Sequence, residues 1–181
     1  MRWYGFVLIF LICTAFGNML YSVRLSYSTE SEMIVKNFPL PEGKLQILDR
    51  SQETVLSAET MPKQPLILFF FASWCRPCIA EMKTIEKLAE RKDVPFIGIA
   101  VRDNPEKLRS FLKKYKNPYQ FVALDPQTEW TAAMRADNLP TAFILNEKGE
   151  VAAKINHIIT ENFYFQKILP FLRELKNEKP L

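Results

Sequence analysis

Two cysteines three residues apart, Cys75 and Cys78, carry the chemistry this chain advertises. They follow an uninterrupted apolar run, Leu66 to Ala72, and the pair Ser73-Trp74. They precede an amphipathic helical pattern that runs to about Arg91. The run is short, rich in β-formers and apolar at every position, as a strand buried on both faces should be. The cysteines therefore fall where a strand feeds a helix. N–H groups of a first helical turn lack partners, and the helix dipole adds partial positive charge there. That setting favours thiolate over thiol, and Arg76 between the two cysteines pulls the same way. A strand, a Cys-x-x-Cys and a helix in succession read as a redox motif.

The composition argues against other uses of the pair. A structural zinc needs four ligands. The remaining candidates are Cys13, in an apolar N-terminal run, and His157, the only histidine. A c-type haem attachment needs His directly after the second Cys, and Ile79 stands there. Two inert core cysteines fit poorly with Trp74, Pro77 and the strand-to-helix position. A copper-binding module remains as a reading from a different class. Copper sites recruit Met or His, but Met82 falls on the core stripe of the helix with Cys78, Ile85 and Ala89. Glu81 projects into that same apolar arc one turn from Cys78. It is either an acid stabilising a helix N-terminus or a partly buried carboxyl with a raised pKa.

Around this motif the chain reads as one globular domain with an N-terminal appendage. Its 181 residues carry 24 Lys and Arg against 20 Asp and Glu, scattered in sequence, so no nucleic-acid stripe emerges. No phosphate loop or repeat is present. Trp3 to Val23 is uncharged and mostly apolar, bracketed by Arg2 and Arg24. That length suits a helix crossing a bilayer with its N-terminus in the cytoplasm. A cleaved signal peptide ending near Ala15-Phe16-Gly17 is the alternative. The expected division is 1–24 membrane anchor or signal peptide, 25–37 tether and 38–178 folded domain. Within the domain, weak strands at Leu45–Leu48 and Thr54–Leu56 flank a turn. Strands are expected at Phe96–Val101, Phe121–Leu124, Ala142–Leu145 and Val151–Ile155. A helix starting at Asn104-Pro105 is expected. Another should start at Asp125-Pro126 with Trp130, Ala133 and Met134 inward. A last one, Glu161 to Lys176, should be kinked by Pro170. The order predicts an α/β fold with a central mixed sheet flanked by helices. Pro140 opens the final hairpin as a strand-edge proline or a cis proline.

Phe71-Ala72-Ser73-Trp74-Cys75-Arg76-Pro77-Cys78 resembles the thioredoxin superfamily. A larger set of segments is similar to the membrane-anchored thiol:disulfide oxidoreductases of cytochrome c maturation, the CcmG/DsbE family. These are Trp74–Glu81, Gly98–Asp103, Phe111–Tyr119 with its Asn117-Pro118-Tyr119, Asp125-Pro126 and Leu139–Leu145. The likeness spans about Phe38 to Leu175. It implies a thioredoxin-like fold and a redox-active Cys75–Cys78 disulfide. Cys75 would be the nucleophile and Cys78 the resolving thiol, with Glu81 exchanging the Cys78 proton. The resemblance also implies a cis Leu139–Pro140 bond. Trp74, Arg76, Pro77, Leu139 and Pro140 would form the substrate groove, Leu139 pairing with an incoming peptide.

No cofactor or metal is implied. The implied partners are apocytochrome c or another Cys-x-x-Cys protein, and a membrane thiol–disulfide transporter as electron donor. The implied location is the inner membrane, with the domain in the periplasm. A generic periplasmic disulfide oxidase or reductase of the same superfamily is the alternative, since potentials on this fold span roughly −270 to −120 mV. The chain departs from the family patterns in three places. Phe69 stands where thioredoxins bury an Asp. Asn138-Leu139-Pro140-Thr141-Ala142 replaces a Gly-Ala-Pro-Glu-Thr run. His157-Ile158 replaces a glycine after the last strand.

Overall fold

The computed structural model describes residues 33–51 and 54–177. The expected membrane span, Trp3–Val23, lies outside them. Among the described residues no helix is long and apolar enough to cross a membrane.

The centre of the fold is β4, Leu66–Phe71, in which every residue is buried. Alternation sends its side chains to two separate cores. Leu66, Leu68 and Phe70 pack into one, and Ile67, Phe69 and Phe71 into the other. Such a strand needs cover on both faces and pairing on both edges. It pairs in parallel with β5, Phe96–Val101, and antiparallel with β7, Thr141–Leu145. The sheet continues outward through β6, Val122–Asp125, to the hairpin of β2, Leu45–Ile47, and β3, Val55–Leu56. On the other side it continues through β8, Val151–Ile155, to β1, Met33–Phe38. The eight-stranded mixed order is β1-β8-β7-β4-β5-β6-β2-β3.

Helix α1, Arg76–Glu90, buries Cys78, Glu81, Met82, Ile85 and Leu88 against one face. Helix α2, Pro105–Lys114, lies on the same face through Leu108, Phe111 and Leu112. Gly98 permits the close approach there. A Cβ on it would stand 2.8 Å from the Phe71 ring and 3.1 Å from that of Tyr119, and those rings stack at 4.7 Å. The other face is covered by α3, Glu129–Ala133, whose Trp130 is fully buried, with Leu40 and Met61 in the same core.

Three expectations need correction. Met33–Asn37 was assigned to the tether but belongs to β1, which pairs antiparallel with β8 from Met33↔Ile155 onward. The strand is held by backbone hydrogen bonds at a sheet edge. Its side chains are therefore largely exposed, Val35 by 62%, and Lys36-Asn37 mimic a linker. Next, α3 begins at Glu129, not at Pro126. Thr128 takes φ 61°, which closes a turn before the helix, and Ala133 faces outward while Trp130 and Met134 face in. Last, the C-terminal helix covers the expected residues, but it is not a regular α-helix throughout. It runs as α4, Glu161–Phe163, a π turn at Tyr164–Ile168, and α5, Leu169–Asn177. Pro170 has no N–H for the carbonyl four residues back, and the wider turn lies just ahead of it.

Candidate active site

The β4 strand ends at Phe71, and Ala72-Ser73-Trp74 carries the chain to α1. Cys75 caps that helix: its backbone is extended, and its Sγ accepts the Cys78 N–H at 3.2 Å. The two cysteines form a disulfide. Cys75 is 5% exposed and Cys78 is fully buried. In the reduced protein the Cys78 N–H and the helix dipole would both favour charge on Cys75.

A carboxylate that sequence reasoning left without a role fixes this turn. Asp103, just beyond β5, accepts the Ser73 N–H at 2.5 Å and the Ser73 hydroxyl at 2.8 Å. It also takes the Asn104 N–H at 2.8 Å. Beside it the Trp74 indole N–H donates to the Arg102 carbonyl at 3.2 Å. Arg102 adopts φ 45°, a conformation rare for a residue with a side chain. The loop before Cys75 is thus held from the end of the neighbouring strand. The only local signal nearby is Asn104-Pro105, which marks a helix start. Asn104 does cap α2, accepting the Glu106 and Lys107 N–H groups, but a contact across thirty residues leaves no periodic trace.

Trp74, Cys75, Arg76, Pro77 and Leu139 line one cleft of about 340 Å³, with Arg102 and Asp137. Trp74, 55% exposed, is one wall. The Leu139–Pro140 peptide bond is cis. Pro140 is buried, and the Thr141 hydroxyl donates to the Asn138 carbonyl at 2.6 Å, tightening the turn into β7.

Beneath the disulfide lies Glu81, 2% exposed. Burial pushes its pKa up to about 8, only partly offset by the Ile159 N–H that donates to its Oε2 at 2.8 Å. Its Oε1 is buried with no hydrogen-bond partner among the described residues. Tyr119 is held well above the usual phenol range, by burial first and then by the charge of Glu81. Its hydroxyl meets the Met82 sulfur at 3.7 Å. Met82 is fully buried and absent from the cleft lining, which leaves it unsuited to the copper reading. Phe69, at the position where thioredoxins bury an Asp, packs against Tyr119 at 6.1 Å. Glu81 is therefore the buried acid on this side of the sheet. His157 stacks edge-on against Phe163 at 4.6 Å, and its Nδ1 meets the Ile158 carbonyl at 2.9 Å.

This arrangement can exchange electrons with a peptide disulfide laid in the cleft, and comparison with known proteins agrees. The Redoxin family profile matches residues 36–166. A probable thiol:disulfide interchange protein DsbE-2 of Pasteurella multocida is 26% identical over 77% of this chain and 73% of its own. The DsbE of Haemophilus influenzae is 28% identical over 83% and 81%. The crystal structure of a secreted Mycobacterium tuberculosis disulfide oxidoreductase homologous to Escherichia coli DsbE superposes with a TM-score of 0.60. It is 18% identical over 74% of this chain and 96% of that one, a likeness of fold. With its redox-active Cys75–Cys78 disulfide at the head of an amphipathic helix, the chain belongs to the Redoxin family as a DsbE-like thiol:disulfide oxidoreductase.

Proposed function

We propose that the protein reduces protein disulfides on the periplasmic side of the inner membrane, held there by an N-terminal anchor within residues 1–24. We further propose that its substrate is the Cys-x-x-Cys-His segment of apocytochrome c or of a partner that handles haem. The observation that carries the exchange chemistry is the asymmetry of the pair, with Cys75 lining the cleft and Cys78 sealed behind it. The DsbE relatives support the pathway.

In the proposed cycle the Cys75 thiolate attacks one sulfur of the substrate disulfide. An S–S bond forms between enzyme and substrate, and the other substrate sulfur leaves as a thiolate and is protonated. Cys78 then loses its proton and attacks the Cys75 sulfur. The substrate departs with two thiols, and Cys75–Cys78 is left as the disulfide, two electrons poorer. Glu81 lies one turn below Cys78 and holds a proton near neutral pH. Its proposed part falls to the minor carboxylate fraction, which grows as pH approaches 8: that form takes the Cys78 proton, and the resulting acid returns it when the pair is reduced again. The cis turn at Leu139–Pro140 leaves Leu139 at the cleft, where its backbone can pair with an extended substrate. A membrane dithiol transporter would return the two electrons, because an oxidising compartment keeps such a pair as disulfide unless something reduces it.

A deletion strain should lose holo-cytochrome c, and an added small thiol should restore part of it. Thiol trapping in cells should find Cys75 and Cys78 reduced. An oxidised pair in cells, with impaired disulfide formation in the deletion strain, would make the protein an oxidase. A carbonate wash tests the anchor, since a spanning segment stays in the membrane and a cleaved one releases a shortened protein.

A further inference from the structure

The cleft over Cys75 carries two guanidinium groups. Arg76 follows the nucleophile position directly, and Arg102 stands across the cleft at the end of β5. Both are exposed. Among the described residues neither has a carboxylate within ion-pair distance, whereas Arg91 and Arg109 each hold an aspartate. Of the acids nearby, Asp103 is engaged and Asp137 is exposed in the same cleft. Asp103, next to Arg102 in sequence, receives three hydrogen bonds from Ser73 and Asn104. Asp137 lines the cleft from its other side and acts on the Lys154 ammonium of β8.

Arg102 is also one of seven described non-glycine residues with positive φ. Its φ of 45° is costly for a residue with a side chain, and such positions persist where the surroundings impose them. Here Asp103 on one side and the Trp74 indole on the Arg102 carbonyl impose it. The result is a backbone held in place in the wall of a cleft that also includes Trp74, Leu139 and Cys75, with an exposed guanidinium on it.

We propose that Arg76 and Arg102 form an acid-reading pair, so that preferred substrates carry Asp or Glu within a few residues of the cysteine that Cys75 attacks. The inference rests on the disulfide-exchange reading and deepens it by naming the class of peptide. Guanidinium groups bind carboxylates through paired N–H donors. A lysine at the same place in the peptide would instead meet like charge.

The experiment uses the purified protein and three peptides of one sequence, each with a disulfide flanked by Glu, Gln or Lys. Second-order rates for reduction are measured at low and high salt. The expected order is Glu, Gln, Lys, with a span of about tenfold at low ionic strength that narrows as salt screens it. Arg102→Gln should shrink the Glu-to-Lys ratio, and Arg102→Glu should invert it. The salt series on the wild type needs no variant, so the inference stays testable if a substitution harms folding. Equal rates for the three peptides at low salt, with exchange otherwise brisk, overturn the acid-reading pair and leave the oxidoreductase reading intact. A wild type that reduces none of the three overturns both.

Discussion

The backbone N–H of Ile159 donates to Oε2 of Glu81 at 2.8 Å, joining the loop after β8 to the active-site helix. That bond lowers the carboxyl's pKa, yet burial prevails and holds it at about 8 against an ordinary 4.5. Between those values the folded protein keeps a proton that the unfolded chain has released. Stability from this group is therefore full below about pH 4.5 and falls as pH rises to about 8. Glu81→Gln removes the titration. Relative to wild type it should gain stability with rising pH across that window, by no more than about 5 kcal/mol. Denaturant titrations at pH 5, 7 and 9 measure this. A constant difference across the three would mean that the carboxyl titrates normally. In kinetics, the wild-type exchange rate should inflect near pH 8 and the Gln variant should not.

The cysteines should behave unequally. Cys75→Ser removes the sulfur that lines the cleft and should abolish exchange. Cys78→Ser leaves an attacking thiol with nothing to resolve its product, so mixed disulfides with substrates should accumulate. Non-reducing gels followed by mass spectrometry distinguish the two. Trapping by Cys75→Ser instead would exchange the roles.

Asp103→Ala strips two hydrogen bonds from the loop before Cys75 and one from the Asn104 N–H ahead of α2. Leaving the Ser73 N–H and hydroxyl without their acceptor should cost about 1–3 kcal/mol. The exchange rate should fall with it, since Ser73, two residues before Cys75, loses its tie to the residue after the Arg102 carbonyl that holds Trp74. Asp103→Asn keeps one acceptor oxygen and should recover part of both. Denaturant midpoints and peptide-reduction rates on the three proteins give the comparison.

Gly98→Ala tests the packing under the site. The added methyl would collide with the Phe71 and Tyr119 rings, which the tight core cannot move freely. A loss of about 1–3 kcal/mol is expected. Thiol reactivity at Cys75 should change little. Calorimetry, with a thiol reagent as the second readout, checks both parts.

Much of this was legible in sequence because the strongest signals are local. An all-apolar hexapeptide from Leu66 to Phe71 can be satisfied only between two layers, and the cysteines after it could fall only at its exit. Glu81 was legible because helical projection put it inside an apolar arc, and there it is buried. What escaped was held by distant partners. The Ser73–Asp103 clamp and the Ile159 N–H on Glu81 join residues 30 and 78 positions apart. The edge strand β1 escaped because backbone pairing with β8, not side-chain burial, puts it in the sheet. The turn before α3 depends on a left-handed Thr128, a residue type with no preference for that conformation.

The unequal exposure of the two sulfurs also dictates the order of events. A reductant can reach the oxidised pair only at Cys75, with Cys78 as the leaving thiolate. The substrate must use that same sulfur in the other half of the cycle. Donor and acceptor therefore take turns in one cleft and never form a ternary complex, which makes the reaction a double displacement. Initial rates at several fixed donor concentrations should give parallel double-reciprocal lines. An excess of either partner should then inhibit by occupying the form of the enzyme that belongs to the other.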